Sequence, residues 1–166
     1  MRKFIHAVDA FNEFCGRWVS LLILPLVFVV VYEVVVRKVF QSPTSWAFEL
    51  TVYLYGAHFM LGMGYTYLHD RHVRIDVIVL QFSQRVQLWL RIFTFIFIFI
   101  PFVGALTYAS IKYAAHSWIM WEHSWTAWKP PLYPYKTVMP VSLIILLFQG
   151  TASFFRDIYT IKGESI

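Results

Sequence analysis

From Trp18 to Val36 the chain carries one charged residue, Glu33. The hydrocarbon core of a bilayer is about 30 Å thick, and a helix needs roughly 20 predominantly apolar residues to cross it. The run is rich in valine, but strands seldom exceed about ten residues, so its length argues for a helix. Three more runs of this kind follow, Ala47–Leu68, Ile92–Ala115 and Tyr135–Phe155. Pro25, Pro101 and Pro140 fall inside or near the start of three of the four. Each frees a backbone carbonyl and predicts a kink, which neighbouring helices tolerate in a membrane. The first run starts late, is long and lacks a small-residue cleavage site, so it is expected to stay as a helix and not be removed as a signal peptide. Composition agrees. The chain is 59% hydrophobic and 14% charged, against about 45–50% and about 25% in soluble domains. That leaves too little polar surface for a water-soluble globule and excludes disorder. The single cysteine, Cys15, excludes a disulfide framework. The expected fold is an all-α membrane protein, one domain over residues 1–166 with four transmembrane helices.

The tryptophans test this division. Indole favours the headgroup level, where its ring is in apolar surroundings and its N–H is wet. Trp18, Trp46 and Trp89 lie at or near the starts of three spans, and Trp118, Trp121, Trp125 and Trp128 lie in the connection before the fourth. None lies at mid-span. Trp18, Trp89 and the four of the connection are read as membrane anchors. Of the fourteen Lys and Arg, the larger share falls on the side of the termini and the middle connection: Arg2, Lys3, Arg17, Arg71, Arg74, Arg85, Arg91, Arg156 and Lys162. Arg37, Lys38, Lys112, Lys129 and Lys136 fall on the other. The termini are therefore expected in the cytoplasm. The excess of basic over acidic residues suits membrane phospholipids better than nucleic acid in so apolar a chain.

The connections have their own patterns. Ser42-Pro43 reads as a helix cap and first helical position, giving a tight hairpin between spans one and two. In residues 72–89, Ile75, Ile78, Val79, Phe82, Val86 and Trp89 share one helical face, while Arg74, Gln81, Gln84, Arg85 and Arg91 share the other. This predicts an amphipathic helix lying in the cytoplasmic interface; the alternative is an extension of span three. In the outer connection, residues 116–134, the four tryptophans are spaced three, four and three apart. They form one stripe if helical, before Pro130-Pro131 ends any helix. A short outer interfacial helix is expected, its stripe anchoring in lipid in preference to stacking on a base or sugar.

Polar residues within the spans are few. Glu33 precedes Arg37 by four positions, a good geometry for a helix ion pair. Glu49 stands in the first turns of span two, where a helix N-terminus favours a carboxylate. Both are read either as interfacial pairing and capping or as contacts to a partner subunit. Only His58 and Gln149 sit well inside spans. Transporter cores have broken helices, midplane ion ligands and internal repeats, and no such pattern is visible. A haem held by two histidines needs a second one at the depth of His58, and no other span offers it. Nucleophile–base, phosphate-binding glycine and zinc-protease patterns are missing too. The chain therefore reads as non-enzymatic, without a cofactor of its own and without a solute path of its own.

Against this background the stretch from Arg37 to Asp76 is informative. It contains Arg37-Lys38-Val39-Phe40, then Trp46-Ala47-Phe48-Glu49-Leu50, a span bearing Gly56, Gly62 and Gly64, and His72-Val73-Arg74-Ile75-Asp76-Val77. It resembles the small, DctQ-like membrane subunit of tripartite ATP-independent periplasmic (TRAP) transporters. The later stretch from Glu122-His123-Ser124 to Pro134 resembles a branch of that family with a longer third loop. The resemblance implies a four-span, non-catalytic scaffold in a bacterial inner membrane. It implies pairing with a large DctM-like subunit that holds the sodium and substrate sites, and service by a periplasmic substrate-binding protein. It implies sodium-driven uptake of organic acid anions. Glu33, Arg37, Trp46, Glu49, Gly56, Gly64, His72, Arg74 and Asp76 are the candidates for the partner interface. Gly56 and Gly64, with Ala57, are expected to permit close helix approach, within the bundle or with the large subunit. Competing readings are a haem- or quinone-associated anchor of a respiratory enzyme and a stand-alone channel or tetraspan scaffold.

Overall fold

The computed structural model describes residues 2–69 and 82–161. Apart from one β-bridge, His123 with Pro131, regular structure in them is helical. The helices are α1 (Arg2–Ser20), α2 (Ile23–Lys38), α3 (Ala47–Leu68), α4 (Gln84–Thr94), α5 (Ile100–Ile119) and α6 (Tyr133–Ile161), with a π turn, Phe95–Phe99, joining α4 to α5.

The helical stem that carries the first expected span starts far earlier than the span itself. The apolar run from Trp18 is the second part of a stem that begins at Arg2. α1 and α2 are separated only at Leu21 and Leu22. Pro25 has no N–H for the Leu21 carbonyl; the N–H of Leu24 takes it instead, at 3.1 Å. One buried stripe runs through the interruption, from Ile5, Asn12 and Gly16 on α1 to Leu26 and Val29 on α2. Its steps of seven and four on α1 and three on α2 fit one face of a helix, and a step of ten, Gly16 to Leu26, crosses the break.

Among the described residues, three stretches are long and apolar enough to cross a membrane: Lys3–Lys38, Val86–Ile119 and Tyr133–Ile161. The fourth expected span, α3, has the bounds read from the sequence, Ala47–Leu68, but is diluted by Glu49, His58, three glycines and four tyrosines. Its packing explains this. α1, α2 and α6 surround it, and only Phe48, Val52, Tyr55 and Phe59 form an exposed stripe. A helix covered by protein needs close fit more than it needs apolar character.

The helices form a row. α5 rests mainly on α6, α6 on α3, and α3 on α2, with α1 set against both α3 and α6. Val103, Leu143 and Leu146 form the buried core at the α5–α6 contact, with Met63, Tyr67, Phe99 and Leu147 against it. The kink expected at Pro101 is taken up by the π turn before it, where the N–H of Ile100 reaches back to the Phe95 carbonyl. The turn stacks Phe95 on Phe154 at 4.7 Å between ring centroids.

Two local expectations need correction. The Ser42-Pro43 cap does not form. Residues 42–45 are not helical and α3 starts at Ala47, because Thr44 is drawn back to Glu33 by its backbone N–H, at 3.3 Å, and by its hydroxyl. The short outer helix does not form either. α5 ends at Ile119, Trp121 turns the chain at φ 47°, and residues 120–132 fold as a loop closed by Ser124 N–H to Pro130 O at 2.9 Å and Leu132 N–H to Glu122 O at 2.8 Å. Of the interfacial helix over 72–89, residues 70–81 lie outside the described residues. From Gln84 onward the chain runs through the π turn into α5.

Candidate functional site

The polar side chains gather in two collars, one at each end of the row. At the terminal end, where α1 meets the end of α6, Asn12 is 1% exposed and Gln149 is 0% exposed. Asn12 Nδ2 donates to Gln149 Oε1 at 2.8 Å and to the Val8 carbonyl at 3.0 Å. Gln149 Nε2 donates to Asp9 Oδ1 at 2.9 Å, and Arg156 pairs with the other Asp9 oxygen. One turn further along α1, Glu13 receives Arg17 at 2.9 Å and the ring of His69 at 2.9 Å. Arg91 stands 3.7 Å from Asp157. These pairs tie α1, α3, α4 and α6 together where they leave the apolar layer.

Asn12 Oδ1 is buried and, among the described residues, has no conventional donor. It faces the backbone of Gly64, where a Cβ would lie 2.1 Å from it. A glycine offers its Cα–H in such a place, a weak hydrogen bond that recurs at close helix contacts. Gly64 is therefore a point of close approach between α1 and α3. Gly56 is another. A Cβ there would meet the hydroxyl of Tyr135 at 1.9 Å, and that hydroxyl donates to the Val52 carbonyl at 3.3 Å.

At the loop end, the Glu33–Arg37 pair forms as its spacing predicts, at 2.7 Å. Glu33 also receives Thr44, so it fastens the α2–α3 hairpin as well as its own helix. Trp46 stacks on Tyr32 with ring centroids 5.7 Å apart. Glu49 is 8% exposed. Its Oε1 accepts the hydroxyls of Ser124 and Thr126, the latter at 2.6 Å. The carboxylate expected to sit at a helix N-terminus thus also pins the aromatic loop to α3. Beside it, Lys136 Nζ donates to Glu122 at 2.5 Å and lies 4.0 Å from the centre of the Tyr113 ring. The hydrogen bond from Lys136 holds the Glu122 carboxyl below the usual carboxylate range.

We expect Glu49→Ala to release this loop. Hydrogen exchange at residues 122–132 should rise about tenfold, because hydroxyl bonds to a charged acceptor contribute about 1.5–3 kcal/mol. The α6 amides should keep their protection. Unchanged exchange in the loop would show that its backbone closure suffices.

Between the collars the polar groups turn to their own backbone. His58 Nδ1 must carry its proton, because it donates to the Val19 carbonyl, at 2.9 Å, beside the α1–α2 break. Thr107 and Ser142 return to the carbonyls four residues before them, both at 2.7 Å. Among the described residues, no three His, Cys, Asp or Glu gather as metal ligands.

The candidate interface residues thus divide. Glu33, Trp46, Glu49, Gly56 and Gly64 make contacts within the chain, Arg37 keeps an exposed edge, and His72, Arg74 and Asp76 lie outside the described residues. Of the candidate anchors, Trp18, Trp89, Trp121 and Trp128 are exposed and Trp125 is 98% exposed, while Trp118 donates to Thr137 Oγ1 at 2.9 Å. Asp9, Asn12, Ser124 and Thr126 were not singled out from the sequence.

A comparison with curated proteins returns no match. The family model described as "Tripartite ATP-independent periplasmic transporters, DctQ component" matches residues 26–160, from the apolar part of α2 to the last turn of α6. That match takes in the loop-end collar and the contacts of α3 with α6 but not the α1 side of the terminal collar, and with the apolar helices it makes this chain a multi-pass membrane protein belonging to the DctQ component family of tripartite ATP-independent periplasmic transporters.

Proposed function

We propose that the chain is the non-catalytic scaffold subunit of a sodium-driven transporter for organic acid anions. It pairs with a large DctM-like membrane subunit that holds the sodium and substrate sites, and a periplasmic binding protein delivers the substrate. It crosses the bacterial inner membrane four times, α3 included, with both termini in the cytoplasm. The observation that carries this reading is the disposition of polar groups. Two ion-paired collars bracket a layer in which His58, Thr107 and Ser142 are satisfied by backbone carbonyls, an arrangement that suits the bracing of helices better than the lining of a conduit. Collars at headgroup level and exposed tryptophans at both ends oppose vertical drift and tilt. A fixed scaffold needs that resistance when its partner moves. Glu33, Glu49, Gly56 and Gly64 serve the partner interface indirectly, by fixing the surface offered to it; His72, Arg74 and Asp76 remain candidates for direct contact.

The test is sodium-dependent uptake in proteoliposomes containing the large subunit and binding protein, with and without this chain. Uptake should require the chain, and the chain alone should carry nothing. Full uptake without it, or sodium-driven uptake by it alone, would count against the reading.

A further inference from the structure

A groove between the second half of α2 and the first turns of α3 encloses about 380 Å³. Its character changes along its length. Val30, Val34, Ala47 and Thr51 line it toward the middle of the row, with Phe48 as an exposed lip. Arg37 and Lys38 line its loop end. Glu33 lies there too, but both its oxygens are engaged, one by Arg37 and the other by Thr44. Arg37 uses Nε, at 3.1 Å, and Nη2, at 2.7 Å, for this pair, which fixes the guanidinium and leaves its Nη1 edge open. Lys38 is exposed and makes no ion pair among the described residues. From Val30 to Lys38 the helix rises about 12 Å, a distance comparable to that from the headgroup level into the acyl chains.

We propose that this groove holds one anionic phospholipid, its phosphate between Arg37 and Lys38 and the upper part of one acyl chain along Val30, Val34 and Phe48. The gradient from basic to apolar along the groove matches the covalent order of such a lipid. A free anion would leave the apolar floor bare, and an apolar helix would leave the basic pair unmatched. The bound lipid would seal the side of the α2–α3 hairpin, where α3 is the main helix against α2 among the described residues. The inference rests on the chain being in a bilayer, and not on what it helps to transport.

Native mass spectrometry of the full chain in neutral detergent, with added phosphatidylglycerol or phosphatidylcholine, tests it. The wild type should retain one phosphatidylglycerol per chain in preference to phosphatidylcholine. Lys38→Glu, which leaves the Glu33–Arg37 pair in place, should weaken retention about tenfold, since one basic residue near a lipid surface contributes about a fivefold effect and reversal exceeds its removal. Val34→Trp, which fills the floor, should do the same. Both variants should melt as the wild type does without added lipid, and inorganic phosphate should not compete at equal concentration. Equal retention of the two lipids, wild-type retention by both variants, or expulsion of the phosphatidylglycerol when the large subunit binds would each overturn the proposal. The last would identify the groove as a seat for protein.

Discussion

Gly64→Leu is expected to lower the melting temperature of the purified chain by about 10 °C, corresponding to about 3–5 kcal/mol. At Gly64 even the first side-chain carbon would lie 2.1 Å from Asn12 Oδ1 and 2.9 Å from Ile145 Cγ2. Neither neighbour can retreat freely. Asn12 is held by Gln149 and by the Val8 carbonyl, and Ile145 belongs to α6. The substitution must push α1 off α3 or break the buried amide pair, and both add to the strain of overpacking. Gly62→Ala is the matched control. A Cβ at Gly62 meets nothing within 4 Å, so this change should be neutral or stabilise by about 0.5–1 kcal/mol through helix propensity. Equal melting of the two variants would remove the close approach of α1 and α3 from the account of the fold. Loss of co-purification with a large subunit for Gly64→Leu alone would show that the terminal collar shapes the partner surface.

Gln149→Leu should cost about 2–3 kcal/mol. It removes a hydrogen bond to the Asp9 carboxylate and a second from Asn12, and bonds to charged groups contribute more than neutral ones. The remaining partners limit the damage, because Arg156 still reaches Asp9 and the Val8 carbonyl still receives Asn12. Asn12→Ala and the double variant complete a cycle. The coupling energy should be about 1–2 kcal/mol, since polar bonds across membrane helices are worth less than their isolation suggests. Strict additivity would mean that the two amides act separately and that α1 is held by its apolar contacts.

What could be read from the sequence follows the range of each interaction. Glu33 and Arg37 are four positions apart, so helix geometry alone pairs them. Glu49 was legible as a carboxylate in a first helical turn, but its partners Ser124 and Thr126 are 75 and 77 positions away, and no local pattern links them. α1 was passed over for a different reason. Its buried face carries Asn12 and Gly16 beside Ile5, while Phe4, Phe11, Phe14 and Trp18 are exposed. Large apolar residues thus lie outward and small or polar ones partly inward, so the inward stripe is hard to see in the sequence. The tryptophans of the outer connection misled in the opposite way. Their spacing is helical, but indoles seeking one depth need no helix, and the pull of Glu49 on the two hydroxyls is better met by a loop. Residues 42–45 went the same way, with Thr44 drawn to Glu33 before Pro43 could begin a helix. α3 was recognised by length although its composition is mixed, and its central place explains that composition.

The row of helices also sets a limit on architecture. A round bundle has an axis down which something could pass. A palisade has two sides and, away from α1, almost no inside. A passage bordered by such a row of described helices would need a second molecule opposite it, and the large subunit proposed above is the candidate for that place.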